Sequence, residues 1–168
     1  MERFLKAIEN CLNNDIWYGA LIISLLMPDI CGSLESPSLS SKTRYKNWFE
    51  KYLSGEYNKE IMGEKVVFMN ADDFYGIRCS ILHQGFDTPH QLEQGTIEKF
   101  YFSVTGSHRV WIEGKLVIDV KRLCCEIISA VHKWVADNKD NTQVQDNINK
   151  LLSIYTGPFE PHKGVQIS

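Results

Sequence analysis

Asp72-Asp73-Phe74-Tyr75-Gly76-Ile77-Arg78-Cys79-Ser80-Ile81-Leu82-His83-Gln84-Gly85 reads as the closing turns of a helix. Gly85 is its stop signal, because glycine accepts the left-handed conformation that ends a helix. Asn70 or Asp72 supplies the start. Within this helix an arginine and a histidine lie five positions apart. Arginine is always charged and grips phosphate with a planar fork of donors. Histidine alone has an ordinary pKa that lets it exchange a proton near neutral pH. Five steps of about 100° separate the two Cα atoms by roughly 140° around the axis. They therefore do not share a face, and their convergence needs a second surface, a partner helix or a partner subunit. The same pair also has a structural reading. Arg78 then forms an ion pair with Asp29 or Asp73, and His83 meets the last helical carbonyls.

Outward from this helix, the N-terminal half is helical. Residues 2–13 carry Phe4, Leu5, Ile8, Cys11 and Leu12 on one stripe. Asn14 or Asp15 caps a second helix from Ile16 to about Met27, with a kinked continuation beyond Pro28. It is apolar nearly all round and is expected at the centre. The apolar run 20–27 stops at Pro28, short of the ~20 residues of a membrane span. A Ser/Pro loop, 36–41, precedes a third helix, Lys42 to Leu53, with Tyr45, Trp48, Phe49 and Tyr52 at helical spacing.

After the motif helix the period changes. Residues 99–104 and 109–112 read as strands around the turn 105–108, and Glu113-Gly114-Lys115 turns into 116–118. Asp119 caps a long helix from about Val120 to Ala136, and Thr142 to Tyr155 forms the last one. Gly157-Pro158 stops it, and the remaining residues are expected to be a mobile tail. The expected fold class is mainly α: one domain, 1–156, an up-and-down helical bundle. A small antiparallel β-hairpin or meander, at about 98–119, is inserted before the last two helices.

Composition narrows the function classes. A chain of 168 residues, 43% hydrophobic and 23% charged, is of ordinary globular make-up and can bury a core unaided. Its net charge of -3 argues against tight non-specific duplex binding, while leaving room for a local basic pocket. The five cysteines show no CxxC spacing and read as reduced, mostly buried thiols of a cytoplasmic protein. The start, Met1-Glu2-Arg3-Phe4-Leu5-Lys6, is too polar for a signal peptide. No membrane partner, metal or cofactor is expected. Without a Gly-rich phosphate loop or Walker-type lysine, an independent NTPase is disfavoured. Cys79, His83 and His90 offer the ligand types of a metal site, but no fourth ligand is evident. Cys79 with His83 lacks the oxyanion hole and orienting group of a thiol protease. His108 and Arg109 read as a solvated turn with a phosphate-touching alternative, and His132 reads as surface.

The run Arg78-Cys79-Ser80-Ile81-Leu82-His83 resembles the arginine, four-to-six residues, histidine motif of the HEPN superfamily. The apolar second helix, the aromatic third helix and the His-Gln-Gly ending also resemble that family, over about 1–85 and more loosely 120–155. The resemblance implies a homodimer through the motif helix, with RNA or a nucleotide as ligand. It also implies metal-independent RNA cleavage in a toxin, phage-defence or stress system, with an antitoxin or other protein partner. Carried onto this chain, His83 serves as general base or acid at the 2′-hydroxyl. Arg78 binds the scissile phosphate and stabilises developing charge. Cys79, Ser80, Gln84 and Asp29 are candidate supporting residues. Active members usually carry Asn, Asp or His after the arginine, whereas this chain has Cys79, a weak hydrogen-bonding group. The alternative implied is a catalytically inactive module that binds RNA, a nucleotide or a protein.

Overall fold

The fold is known from a computed structural model that describes residues 1–89 and 95–168. It is helix-rich, with seven helices and three small sheets among the described residues. The helices are α1 (Glu2–Asn13), α2 (Trp17–Glu35), α3 (Ser41–Tyr52), the single turn α4 (Ser54–Tyr57), α5 (Ala71–Gln84), α6 (Val120–Asp137) and α7 (Thr142–Asn149). The strands are β1 (Asn58–Ile61), β2 (Glu64–Val67), β3 (Lys99–Ser103), β4 (Val110–Ile112), β5 (Lys115–Asp119), β6 (Phe159–His162) and β7 (Val165–Ile167).

α2 is the hub. It packs against α1, α3, α5, α6 and α7, which is what its nearly uniform apolarity demands. Proline normally ends a helix by removing a donor and crowding the preceding turn. Here α2 runs through Pro28 to Glu35, because Cys31, Gly32 and Leu34 beyond the proline are buried in the core. The apolar run therefore does not stop where the proline suggests. By length and composition alone the resulting 19-residue helix could cross a membrane, yet half of its most apolar window is buried against this protein's own elements. α2 and α3 meet at Gly32, where an added Cβ would lie 2.9 Å from Cβ of Arg44.

The core continues through Tyr45, Phe49, Phe74, Tyr57 and Trp134, all 1% exposed or less. Burying each large apolar side chain contributes about 1.5–3 kcal/mol. The tilted rings of Tyr45 and Phe74 pack with centroids 5.3 Å apart, and those of Phe49 and Phe74 at 5.1 Å, so α3 and α5 lock through rings. The aromatic stripe of α3 is core.

The β segment lies where the sequence places it, but its topology differs. Its three strands are ordered β3-β5-β4, and β3 pairs with β5 in parallel, Phe100 opposite Leu116. The hairpin is β4–β5, closed by Glu113 and Gly114 at φ 46° and 77°, the left-handed pair of a tight primed turn. The segment after β3 does not turn back on it. Instead Gly106 N donates to Asp119 Oδ2 at 2.9 Å, and Asp119 N donates to Nδ1 of His108 at 3.2 Å. These bonds carry the chain over the end of β5 to its far edge. Asp119 also caps α6 through Arg122 N at 2.9 Å, as its position suggested.

Three further departures are local. A hairpin, β1–β2, turns at Met62 and Gly63, both at positive φ. α7 ends at Asn149 rather than Tyr155. The tail expected to be mobile forms the hairpin β6–β7, turning near Gly164.

Candidate functional site

α5 begins with a capping box. Asp73 N donates to Asn70 Oδ1 at 2.9 Å, and Asn70 N donates to Asp73 Oδ2 at 3.1 Å, satisfying two of the helix's free donors. Asp73 also accepts from Thr96 N at 2.6 Å and Ile97 N at 2.9 Å, tying the start of the next segment to the same helix end. Asp73 is thereby committed, leaving Asp29 as partner for Arg78. At the other end Gly85 closes the helix at φ 73°, its N–H donating to Ile81 O at 3.2 Å.

Between these caps Arg78 and His83 converge. Arg78 Nη1 lies 3.1 Å from Nε2 of His83. An arginine can only donate, so Nε2 accepts and the ring is neutral with its proton on Nδ1. The angular gap between the two Cα atoms is closed by the length of the arginine and by an anchor on α2. Arg78 Nε donates to Asp29 Oδ2 at 2.7 Å, and Nη2 approaches the same oxygen at 2.5 Å. The other carboxylate oxygen accepts from Ser41 Oγ at 2.9 Å. The guanidinium lies about 6 Å from two ring centroids, 6.0 Å from Tyr45 and 5.9 Å from Tyr75, within cation–π range. Burial opposes its charge, but the Asp29 carboxylate and the Cys79 sulfur together outweigh this and hold Arg78 above its ordinary pKa. Burial likewise pushes the Tyr45 and Tyr75 hydroxyls up.

Access is uneven. The Arg78 and Asp29 side chains are 14% and 16% exposed, whereas His83 and Gln84 stand in solvent. A substrate phosphate would meet the histidine first and the arginine only by its outer edge. Cys79 contributes a long contact, its Sγ 3.8 Å from Arg78 Nη1. Ser80 is 2% exposed and belongs to the core, because its helix position faces away from Arg78; it does not support the site. His90, the third group of the alternative metal site, lies outside the described residues. No cluster of metal-ligating groups occurs among those described.

His108 and Arg109 are not a solvated turn. Their side chains are 3% and 20% exposed, and both reach Glu126 of α6, His108 at 3.0 Å. Tyr57 Oη donates to the other oxygen of Glu126 at 2.8 Å. Since His108 Nδ1 accepts from Asp119 N, its Nε2 carries the proton donated to Glu126. This cluster ties α4, the β3–β4 connection and α6 together. His132 is exposed, as expected of a surface residue.

No family model, curated protein or solved structure matches this chain. The functional reading therefore rests on the site's own geometry. Sequence reasoning reached Arg78, His83 and Asp29 but missed Ser41, Tyr45 and Tyr75 as their surroundings. Tyr45 was visible only as one member of an aromatic stripe. What separates it from Trp48 or Phe49 is that α3 sets its ring beside Tyr75 and Arg78 of α5, which is information from packing.

Proposed function

We propose that this chain is a HEPN-like helical protein that cleaves RNA without a metal, with Arg78 and His83 as the catalytic pair. The observation that carries the reading is the 3.1 Å contact between Arg78 Nη1 and His83 Nε2. Two residues of complementary chemistry, unable to share a helix face, meet at a solvent-facing helix end and are oriented by Asp29. In this reading the scissile phosphate takes over the Arg78 Nη1 donor, which releases the lone pair on Nε2. His83 then accepts the proton of the 2′-hydroxyl as the 2′-oxygen attacks phosphorus. The bond to the 5′-oxygen breaks, that oxygen takes a proton from solvent to leave the 3′ fragment with a 5′-hydroxyl, and the 5′ fragment keeps a 2′,3′-cyclic phosphate. Arg78 stabilises the charge that accumulates on the phosphoryl oxygens. A homodimer across the C-terminal part of α5 would supply the second wall that the 14% exposure of Arg78 leaves open. The cellular setting that goes with this reading is a cytoplasmic toxin, defence or stress system.

A second reading is favoured by one specific observation. Asp29 already neutralises Arg78 through two contacts, and Cys79 replaces the polar group expected beside it. A guanidinium so occupied suits a catalytically silent module that binds RNA, a nucleotide or a protein. Labelled single-stranded RNA incubated with the protein in EDTA separates the two. Cyclic-phosphate products from wild type and none from His83→Ala support the nuclease. RNA retained intact by both, with folded protein, supports the silent module.

A further inference from the structure

The three-stranded sheet has two faces of opposite character. Successive side chains of a strand point to opposite sides. Phe100, Phe102 and Ile118 line a small core cavity with Leu25, Phe74 and Ile77, so the even-numbered side chains of β3 and β5 face the core. The register then fixes what the outer face presents. Tyr101, Val117 and Val110 form one row across β3, β5 and β4, and Lys99, Lys115 and Ile112 form the next. None of the six is buried, and Tyr101 is 45% exposed. Lys99 and Lys115 are direct cross-strand partners, an arrangement in which like charges repel. Lys99 has one counter-charge, Asp87 at 3.2 Å. Lys115 joins none of the ion pairs among the described residues. The nearby carboxylates lie outside the two rows: Asp87 in the loop after α5, Glu98 across Gly114, and Glu113 in the β4–β5 turn. Asp119, at the end of β5, is 3% exposed and committed to Gly106 and Arg122.

This face runs on toward His83. Phe100 N donates to Asp87 O at 2.9 Å, and the Asp87 carboxylate holds Lys99, so the loop leaving α5 joins β3 at the lysine row. That loop carries Phe86. At such a helix end an apolar residue ordinarily packs back on the last turn. Phe86 N does donate to Ser80 O at 3.4 Å, yet its side chain is 59% exposed. Phe86, Lys99 and Tyr101 thus follow one another from the end of α5 onto the sheet, the Lys99 ammonium 5.2 Å from the Tyr101 centroid. Open rings interleaved with cations suit an unpaired nucleic-acid strand, whose bases stack and whose phosphates meet the lysines. A second copy of this chain suits the face less, because sheet-on-sheet packing would bury two neighbouring lysines with a single carboxylate between them. We infer that the outer face of β3-β5-β4, together with Phe86, is the platform for single-stranded RNA flanking the scissile phosphate. The identity of the polymer rests on the reading of Arg78 and His83 given above. Bases stack on Tyr101 and Phe86, Val110, Val117 and Ile112 supply the apolar floor, and Lys99 and Lys115 hold phosphates. Duplex RNA, whose bases are already paired and stacked, does not fit.

The test is fluorescence anisotropy of the full chain with a labelled single-stranded RNA oligonucleotide. Every ribose is 2′-O-methylated, so the strand binds without being cut. Saturable binding is expected, with no competition from the same sequence as a duplex. Tyr101→Ala and Phe86→Ala should each weaken it roughly tenfold, the loss of one stacked base. Lys115→Ala should flatten the slope of log affinity against log salt by about 0.7, the loss of one phosphate contact. Trp111→Ala, which the register places on the opposite face of β4, should bind as wild type does. The inference is overturned by the absence of saturable binding, or by Tyr101→Ala and Lys115→Ala binding as tightly as wild type at equal Tm. It is equally overturned if those two variants keep RNA binding but dissociate a dimer in sedimentation velocity, which would make the face a protein interface. The nuclease reading fails separately. A strand bound here, with ordinary RNA left uncut in EDTA, sinks that reading alone; cleavage by wild type with RNA binding unaltered in the face variants sinks this one alone.

Discussion

Arg78 is held from three sides: by Asp29 from α2, by the rings of Tyr45 and Tyr75, and by His83 at the end of its own helix. The balance of these contacts decides what each substitution does. Asp29→Ala leaves a largely buried guanidinium without its counter-charge. A loss of about 2 kcal/mol is expected, read as a fall in Tm of roughly 4–8 °C for a domain of this size. An unchanged Tm would show that the ion pair contributes nothing to stability. His83→Ala removes an exposed ring, and its Tm should stay within about 1 °C of wild type, since such surface changes cost little. The site's chemistry was legible at this scale because arginine, histidine and aspartate announce themselves by type. Ser80 was less legible: the helix turns it away from Arg78, and only packing shows that its side is the core.

At the scale of elements, the close approach of α2 and α3 aligns Asp29 with Arg78. Gly32 lies one turn beyond Asp29 and touches Arg44. Gly32→Ala should push the helices apart and cost about 1–3 kcal/mol, with any activity at Arg78 falling alongside; urea unfolding and the RNA assay measure the two effects. Helix starts and stops were readable where the cap is local, as at Asn70, Gly85 and Asp119. The parallel pairing of β3 with β5 was not, because strand partners are chosen by distant contacts. Here they depend on Asp119 drawing in Gly106 and His108, for which no residue pattern in β3 gives notice. The end of α7 was overrun for a similar reason. Leu151, Leu152 and Tyr155 continue the apolar stripe, but Arg3 of α1 bonds Leu151 O at 3.2 Å and Ser153 Oγ at 2.6 Å, holding that stretch in an irregular form.

For the whole molecule, the core thiols set an alkaline limit. Burial pushes Cys124 up to about 11 and Cys31 further still. The folded chain therefore keeps protons that the unfolded chain releases near pH 9. Stability contributed by these groups is complete below that pH and is lost as pH rises toward 11. Cys124 alone corresponds to a loss of about 1 kcal/mol by pH 10. Urea midpoints at pH 8 and pH 10 should show the fall, reduced in Cys124→Ala. The C-terminal hairpin behaves differently, since nearly all of residues 157–168 are exposed. Truncation after Thr156 should leave the urea midpoint unchanged, because the Arg3 contacts to 151–153 remain.

The central claim is that the Arg78–His83 pair is a metal-independent RNA-cleaving site, and a single assay bears on it most directly. Labelled single-stranded RNA is incubated in EDTA with wild-type protein and with His83→Ala of equal Tm. Cleavage by wild type to cyclic-phosphate ends, abolished in the variant, is the expected result. Intact RNA with both proteins, or equal cleavage by both, would contradict it.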